Sequence, residues 1–354
     1  MSEILAPCGA MESLTAAVNA GADAVYLGEE YFSARKNADN FTAEQLCDAV
    51  RFCHYSGVKV YVTLNTLVFD REIPLLAKAI ENCAKADVDA FIVQDMGVAR
   101  LARQIVPELP LHASTQMTVN SPEGAIMAKE LGFTRVVLGR ELSLAQIKAI
   151  TESCDIETEL FVHGALCVCI SGQCYMSSVL GGRSGNRGLC AQPCRLDFTS
   201  GDRHNILSLK DLSLTEKLPE LAKAGITSFK IEGRMKRPEY VAGAVNACRV
   251  ALDGGTPDLI SLKNVFSRSG FTSGYFDDDF KNMQGVRTKD DVTSATSKVL
   301  SAMKQYYHKP FRRFPADITV NVKSGQPVCY KLSACGVSSS AVGDIPEKAV
   351  NRAV

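Results

Sequence analysis

Four segments of the chain follow one pattern: AGADAVYLG (residues 20–28), ADVDAFIVQD (86–95), LGFTRVVLG (131–139) and AGITSFKIEG (224–233). Each segment passes from the end of a helical stretch through a short turn to an apolar run, rich in β-branched and aromatic residues. Such a run is typical of a buried parallel strand. Because helical periodicity precedes each run, the pattern predicts strand–helix units rather than hairpins.

The same alternation extends over the first 255 residues and gives eight predicted strands, at 4–6, 24–28, 59–65, 90–95, 111–116, 135–139, 157–164 and 228–233. Helices are predicted at 11–20, 43–56, 73–86, 96–106, 122–131, 144–152, 214–224 and 238–253. Eight consecutive units can close a parallel sheet into a barrel. A doubly wound open sheet competes, but its G-x-G-x-x-G turn after the first strand is missing. We therefore predict an α/β fold of the (β/α)₈ TIM-like barrel class.

Composition narrows the class of protein. Lys+Arg and Asp+Glu both number 39, so the net charge gives no support to a globally basic nucleic-acid binder. No run approaches the ~18 apolar residues that span a bilayer, and the N-terminus lacks the features of a signal peptide. We expect a cytoplasmic protein with no membrane partner. Its 13 cysteines would then be reduced and available for metal binding or catalysis.

Two segments depart from the repeat. The cysteine-rich segment, residues 165–213, is too long for an ordinary connection and is expected to be functional. Within it, 194–199 and 205–209 flank a GDR turn and predict a hairpin. After a loop-rich extension at 256–309, residues 317–323 and 328–332 alternate apolar and polar side chains like a β-ribbon. We expect 310–354 to be the beginning of a small β-domain that continues past Val354.

Five cysteines fall within the cysteine-rich segment: Cys167, Cys169, Cys174, Cys190 and Cys194. Three interpretations remain open. Zinc favours closely paired thiolates, which this spacing lacks. A nucleophilic thiol needs a neighbouring histidine, and His163 precedes Cys167 by four residues. An iron–sulfur cluster needs four thiolates and accepts looser spacing, and nearby glycines and arginines would suit its wrapping and its charge.

Polar residues gather where the predicted strands end, which is the face that carries the active site in barrel enzymes. From them we select His163, Glu232 and Arg140 as candidate catalytic residues. Candidate substrate-binding residues are Asn65, Gln116 and Arg234 at strand ends, and Arg183 in the cysteine-rich segment.

The strand that ends at His163 also places Glu159 on its inward face. A carboxylate inside a barrel needs a partner, and Lys230 on the neighbouring strand can supply it. We interpret Glu159 as half of a buried structural ion pair.

ELFVHGALC (159–167), followed by SGQCYMS (171–177), resembles the signature of the U32 peptidase family, the collagenase-like proteases. LAPCGAMESL, AVYLG, LHASTQMTVNS, LSLKDL and FKIEGRMKRPEYV are also similar to motifs of that family. The likeness spans about residues 4–255. FRRFPADITVNVKSGQPVCYKL (311–332) is similar to the start of the collagenase-associated domain of longer members.

The resemblance implies one of two activities. Some branches of the family hydroxylate an RNA base without molecular oxygen, hold an iron–sulfur cluster, and in some cases take the oxygen from prephenate. Carried over by position, the ligands of a 4Fe–4S cluster would be Cys167, Cys174, Cys190 and Cys194, with Cys169 as an extra thiol. RNA would be the partner, and Arg140, Arg183 or Arg234 would bind the donor's carboxylates. The family name implies a peptidase acting on a peptide substrate, with His163 as general base, and zinc remains the alternative metal.

Overall fold

Eight parallel strands close into a barrel. The computed structural model describes residues 2–35, 38–311, 313, 315–334 and 336–346. In the barrel, each strand pairs with the next in sequence except at the seam, where the last strand pairs with both the seventh and the first. At that seam Ser228 lies in register with Glu3 on one side and with Glu159 on the other. The predicted (β/α)₈ barrel is confirmed.

The strands and helices alternate in chain order. The barrel strands are β1 Glu3–Pro7, β2 Ala24–Leu27, β3 Lys59–Leu64, β4 Ala90–Val93, β5 Leu111–Ala113, β6 Arg135–Val137, β7 Glu157–Ala165 and β8 Ser228–Ile231. The helices that follow them are α1 Met11–Asn19, α2 Ala43–Tyr55, α3 Ile73–Lys85, α4 Met96–Ile105, α5 Pro122–Glu130, α6 Leu144–Thr151, α7 Leu218–Lys223 and α8 Pro238–Leu252.

Side chains alternate between two separate cores. Along β2, Val25 and Leu27 pack outward in the large core between strands and helices. Ala24 and Tyr26 point the other way, into a small core within the barrel that also contains Tyr61 of β3. This period-two alternation follows from the pleat of each strand, and it makes the barrel interior a packed core.

Part of that interior is charged. Lys230 Nζ lies 2.6 Å from Glu159 Oε1, as expected from the sequence, and Arg135 Nη1 lies 3.2 Å from Glu159 Oε2. Arg135 also reaches Glu3 at 2.7 Å. All these groups are buried or nearly so, and removing one partner of such a pair leaves an uncompensated charge in the core. The network is structural and sits among the strands, below the ends that carry the candidate site.

Several element boundaries differ from the sequence-based predictions. Four strands end two or more residues early, because residues such as Asp95 and Ser114 cap the next helix or turn with their side chains. The helix predicted to begin at Leu214 starts at Leu218, with Pro219 in its first turn and a 3₁₀ turn before it.

The hairpin predicted within 194–209 was wrong. The structure has a 3₁₀ turn at Pro193–Arg195 and a single isolated bridge between Ser200 and Arg203, because Asp197 binds the His204 ring and the Asn205 backbone instead of supporting a strand ladder.

Short elements fill the remaining parts of the chain. The cysteine-rich segment contains the helix Met176–Gly181 and the strand Asp211–Ser213, which pairs antiparallel with the end of β7. The tract after α8 holds helices at Leu259–Val265, Gly274–Asp277, Lys289–Thr293 and Ser297–Lys304, and a two-residue strand, Phe271–Thr272.

The chain divides into two compact units, residues 1–311 and 312–354. The second contains an antiparallel sheet of β9 Ala316–Asn321, β10 Cys329–Ala334 and β11 Val337–Val342. The first two strands correspond to the predicted ribbon, and β11 was not predicted. Within the described part of the chain, no helix is both long enough and apolar enough to cross a membrane.

Candidate active site

Three arginines surround one carboxylate at the barrel mouth. Glu232 follows β8, and its Oε1 lies 3.2 Å from Nη2 of Arg35, in the loop after β2. Burial by itself would raise the pKa of Glu232, but Arg35, Arg140 and Arg234 outweigh it and lower the pKa to about 2. Three positive charges against one negative charge leave this group, the arginine pocket, with a surplus positive charge suited to an anionic ligand.

Arg234 crosses the mouth of the barrel. Its Nη1 donates hydrogen bonds to Ser33 Oγ at 2.6 Å and to Thr63 Oγ1 at 2.9 Å, and its side chain packs over the Tyr26 ring. Burial, followed by the charge of Arg35, lowers the pKa of Arg234 to about 10. The guanidinium remains protonated at neutral pH, and its hydroxyl partners leave its charge uncompensated at close range.

Arg140 enters the pocket from the loop after β6. Its Nη1 donates to the carbonyl oxygen of Ala165 at 2.7 Å, and its guanidinium lies 4.5 Å from the centre of the Phe161 ring. These contacts fix the side chain between β7 and the start of the cysteine-rich segment. The prediction that Glu232, Arg140 and Arg234 share a region is therefore consistent with the geometry.

His163 lies under the cysteine-rich segment and is 1% exposed. Its Nδ1 lies 3.3 Å from Ser213 Oγ, and Ser213 Oγ lies 3.1 Å from Thr215 Oγ1. Its Nε2 is buried without a hydrogen-bond partner among the described residues. Burial lowers the pKa of His163 to about 4, so the ring is neutral at neutral pH. It can accept a proton only from a group brought into contact with it.

An amide cluster covers the ends of β3, β4 and β5. Asn186 Nδ2 donates to Gln94 Oε1 at 2.7 Å and to Gln116 Oε1 at 3.3 Å, and it approaches the Asn65 carbonyl oxygen at 3.4 Å. Asn65 Oδ1 accepts from the backbone N–H of Ala34. The predicted binding residues Asn65 and Gln116 are thus brought together, but they are linked by an asparagine of the cysteine-rich segment.

Arginines hold the cysteine-rich segment in place. Arg187 anchors it to the barrel by donating to both carboxylate oxygens of Glu72, at 2.6 and 2.8 Å, and to the Leu67 carbonyl oxygen at 2.8 Å. Arg195 joins the two ends of the segment by donating to the carbonyl oxygens of Leu166 and Leu209 at 2.7 and 2.6 Å. Such charge-assisted bonds hold a segment that has little regular secondary structure of its own. Arg183, by contrast, is exposed, and its role in substrate binding stays a prediction.

The four predicted ligand thiols are neighbours. Burial raises the pKa of Cys194, and the thiols of Cys167, Cys190 and Cys174 also act on it electrostatically. Burial likewise raises the pKa of Cys169, with Cys167 and Cys174 nearby.

Hydrogen-bond donors point at two of these sulfurs. The N–H of Met176 lies 3.4 Å from Cys174 Sγ, and the N–H of Gln192 lies 3.3 Å from Cys190 Sγ. Gly185 packs against this site, since a Cβ there would lie 3.3 Å from the Cys174 carbonyl oxygen.

The thiols are near one another but do not converge on a point. Among the residues that the structure describes, no three His, Cys, Asp or Glu side chains are arranged to hold a metal ion. The thiol group and the arginine pocket are adjacent, since Arg140 donates to the carbonyl oxygen of Ala165, two residues before Cys167.

Sequence reasoning missed three residues of this region. Arg35 lies in an irregular loop between β2 and α2, where no periodicity marks it. Asn186 and Ser213 reach the site only because the cysteine-rich segment folds back over the mouth. Asn186 carries one signal in the sequence, since it is an amide residue between Gly185 and Gly188. Arg35 carries no such signal.

Comparison with known proteins identifies the family. The model of peptidase family U32 matches residues 9–284. The chain is 43% identical over 284 residues to a 23S rRNA 5-hydroxycytidine C2501 synthase of Escherichia coli, covering 77% of this chain and 42% of that protein. It is 38% identical over 270 residues to tRNA hydroxylation protein P1 of Bacillus subtilis, covering 72% and 64%.

A protein named collagenase, from Porphyromonas gingivalis, is 36% identical over 306 residues, covering 77% of this chain and 73% of that protein. The chain thus spans 42% and 64% of the length of the two hydroxylation proteins. The family match covers β2 to β8 and the whole cysteine-rich segment, so the resemblance noted from the sequence is confirmed: the chain belongs to peptidase family U32.

Proposed function

We propose that this chain contains the catalytic barrel of an RNA hydroxylase that converts a C–H bond of a base into C–OH without molecular oxygen. An iron–sulfur cluster held by Cys167, Cys174, Cys190 and Cys194 would assist it. The observation that carries the proposal is the adjacency of the thiol group and the arginine pocket, where Arg140 donates to the Ala165 carbonyl oxygen two residues before Cys167. The names of two relatives, an rRNA hydroxycytidine synthase and a tRNA hydroxylation protein, support RNA as the substrate.

The residues present fit a polynuclear cluster better than a single zinc ion. In a four-iron cluster each thiolate binds a different iron, so the sulfurs lie farther apart than around one ion. Thiols that interact electrostatically without converging match that requirement. The N–H groups directed at Cys174 and Cys190 would stabilise thiolate charge. When bound, the cluster would supply one-electron transfer at the barrel mouth.

The arginine pocket would bind the oxygen donor. A donor such as prephenate carries two carboxylates, and Arg35, Arg140 and Arg234 can each donate to a carboxylate oxygen. Glu232 stays ionised at neutral pH and holds Arg35 in place. His163, neutral and with a free Nε2 among the described residues, would accept a proton from a ligand that reaches it.

Modified-nucleoside mass spectrometry tests the proposal. Ribosomal and transfer RNA from cells lacking the gene should have lost one nucleoside that is heavier by one oxygen atom than its parent. The wild-type gene should restore it, and Cys174→Ser should not. If both RNA pools are unchanged by the deletion, the hydroxylase proposal is wrong. A structural cluster in an RNA-binding protein would then be the remaining role for the thiols, and RNA binding would persist with the salt dependence of phosphate contacts.

One contact favours a second candidate, a peptidase. Ser213 Oγ, 3.3 Å from His163 Nδ1, is placed as a nucleophile beside a base. Against it, no described carboxylate orients His163 through Nε2, as a complete triad requires. The peptidase predicts gelatin hydrolysis that is lost on Ser213→Ala and retained after iron is removed.

A further inference from the structure

A second group of cations lies beside the candidate site, around one aromatic ring. Lys236 belongs to the loop between β8 and α8, and Arg268 and Arg287 belong to the chain after α8. Lys236 Nζ lies 2.8 Å from the centre of the Phe266 ring, and the guanidinium carbons of Arg287 and Arg268 lie 4.5 and 5.4 Å from it. We call Lys236, Arg268 and Arg287 the Phe266 basic cluster.

This cluster is short of negative charge. Arg268 forms an ion pair with buried Asp211. Within the described part of the chain, neither Lys236 nor Arg287 has a carboxylate oxygen within salt-bridge distance. Burial and the neighbouring charge of Arg268 lower the pKa of Lys236 to about 7, although Asp211 opposes them. Like charges held together around a ring, with one counter-charge among three, are relieved when an anion binds.

Nearby Arg195 does not share this surplus. Its guanidinium donates to two carbonyl oxygens and to Ser208 Oγ, which joins the two ends of the cysteine-rich segment. Because its hydrogen-bond donors are used in those bonds, the Arg195 side chain has a structural role. Among the described residues, the side chains of Lys236 and the exposed Arg287 have ring contacts but no hydrogen-bond acceptor, and so keep their donors for a ligand.

The cluster is next to the barrel mouth. Lys236 follows Arg234 by two residues. A chain of rings joins the cluster to the candidate site, with centres 5.7 Å apart between His163 and Tyr240 and 6.2 Å apart between Tyr240 and Phe266. A nucleotide whose base enters the mouth would therefore keep its backbone within reach of the cluster.

We infer that the Phe266 basic cluster binds a backbone phosphate of RNA beside the nucleotide that enters the barrel mouth. The inference rests on the proposed function and adds a partner contact to it. Enzymes that modify a base take it out of its stack, and cationic side chains hold the flanking backbone in register. A phosphodiester carries one negative charge and two free oxygens, which Lys236 and Arg287 can bind together.

The test is RNA binding by the full chain, purified without oxygen, as a function of KCl concentration. The probes are unfractionated ribosomal RNA and, separately, transfer RNA from a strain lacking the gene. The Arg287→Gln variant should bind the preferred RNA about fivefold more weakly, and adding Lys236→Gln should weaken the binding further. Each loss should lower the slope of log affinity against log salt by about 0.7–0.9.

Matched variants distinguish the effect of losing this site from the effect of losing any one surface charge. Arg51 on α2 is exposed, with its side chain 66% accessible, so Arg51→Gln removes the same charge elsewhere and should leave affinity and slope unchanged. Lys236→Arg should retain binding. If Arg287→Gln behaves like Arg51→Gln in both measurements, the inference is wrong.

Two further outcomes are distinguishable. If inorganic phosphate stabilises the wild-type protein but not Arg287→Gln, while RNA affinity is equal in both, the cluster binds a small phosphate ligand and the RNA assignment is overturned. If the variants lose RNA affinity as expected but the deletion strain lacks no hydroxylated nucleoside, the contact stands and the proposed reaction fails.

Discussion

At the scale of single residues, three arginines around Glu232 determine the chemistry of the barrel mouth. Arg35 is the one that forms an ion pair with Glu232, and 34% of its side chain is exposed. The pocket therefore presents Arg35 to solvent while Arg234 is held inside the barrel by hydroxyl groups.

Replacing Arg35 should weaken binding of the oxygen donor. Arg35→Gln keeps a polar side chain, shorter than arginine, and removes one of three charges, so we expect about a tenfold increase in the KM for prephenate, the proposed oxygen donor. Anaerobic hydroxylation assays at varied prephenate concentration measure it. Arg51→Gln is the control, and an unchanged KM in Arg35→Gln would exclude this pocket as the donor site.

His163 should make folding stability depend on pH. The unfolded chain protonates this ring near its ordinary pKa of about 6.5, whereas the folded chain does so near 4. Between these values the unfolded state binds more protons, so the free energy of unfolding falls as the pH falls from 6.5 to 4, by up to about 3 kcal/mol.

His163→Gln should flatten part of this dependence, measured by urea unfolding at several pH values. Some dependence should remain, because burial also lowers the pKa of His112. His308→Gln replaces an exposed ring and should leave the curve unchanged. Equal pH slopes for wild type and His163→Gln would contradict the assignment of a buried neutral ring.

Residue types at strand ends were predictable, but their partners were not. Glu232, Arg140 and Arg234 were selected because they follow parallel strands, whose carboxyl ends meet at one face. Arg35 was not predicted, because it lies in an irregular loop. Such a loop has no periodicity from which the direction of a side chain can be inferred. The ion pair of Glu159 with Lys230 was predictable, because inward positions on adjacent strands face each other.

At the scale of elements, the cysteine-rich segment depends on attachment to the barrel. Its helix, Met176–Gly181, is only six residues long and cannot be stable on its own. Arg187 and Asn186 tie the segment to the loops after β3 and β4, and Arg195 ties its two ends to each other. The positions of the thiols therefore depend on polar contacts more than on a local core.

The pair of Arg187 and Glu72 should be energetically coupled. A double-mutant cycle with Arg187→Ala and Glu72→Ala should give a coupling free energy of about 1 kcal/mol, because the contact is bidentate and less than a third exposed. Denaturant unfolding measures it, and hydrogen exchange should rise across 182–195 in either single variant. The exposed pair of Lys78 and Glu81 is the control and should give about 0.3 kcal/mol. Equal coupling in the two pairs would mean that Arg187 does not anchor the segment.

Buried elements were predicted well from the sequence, and among the exposed ones the ribbon strands β9 and β10 were predicted but β11 was not. The eight barrel strands stand out because both faces are buried, which requires continuous apolar runs. β11, Val337–Val342, contains three consecutive serines and is exposed along its length, so it lacks such a run. The wrong hairpin near Asp197 has the same cause, since side-chain hydrogen bonds that are invisible to periodicity decided the local conformation.

At the scale of the whole molecule, the buried structural ion pairs and the candidate functional groups lie at different levels along the barrel axis. The buried charges of Glu3, Arg135, Glu159 and Lys230 lie among the strands and are paired with one another. The arginine pocket and the thiol group lie on segments that follow barrel strands, and the Phe266 basic cluster combines Lys236 of such a segment with residues of the chain after α8. A barrel of this class supports many reactions, so the function rests on those segments and not on the fold.

The most direct test of the account is the iron and sulfide content of the protein purified without oxygen, together with its visible absorption. We predict a brown wild-type protein with about four irons and four sulfides per chain. Cys169→Ser should keep this cluster, and Cys174→Ser should lose it. A colourless wild-type protein with one bound zinc, or equal iron content in Cys174→Ser and wild type, would contradict the assignment of the four thiols as cluster ligands.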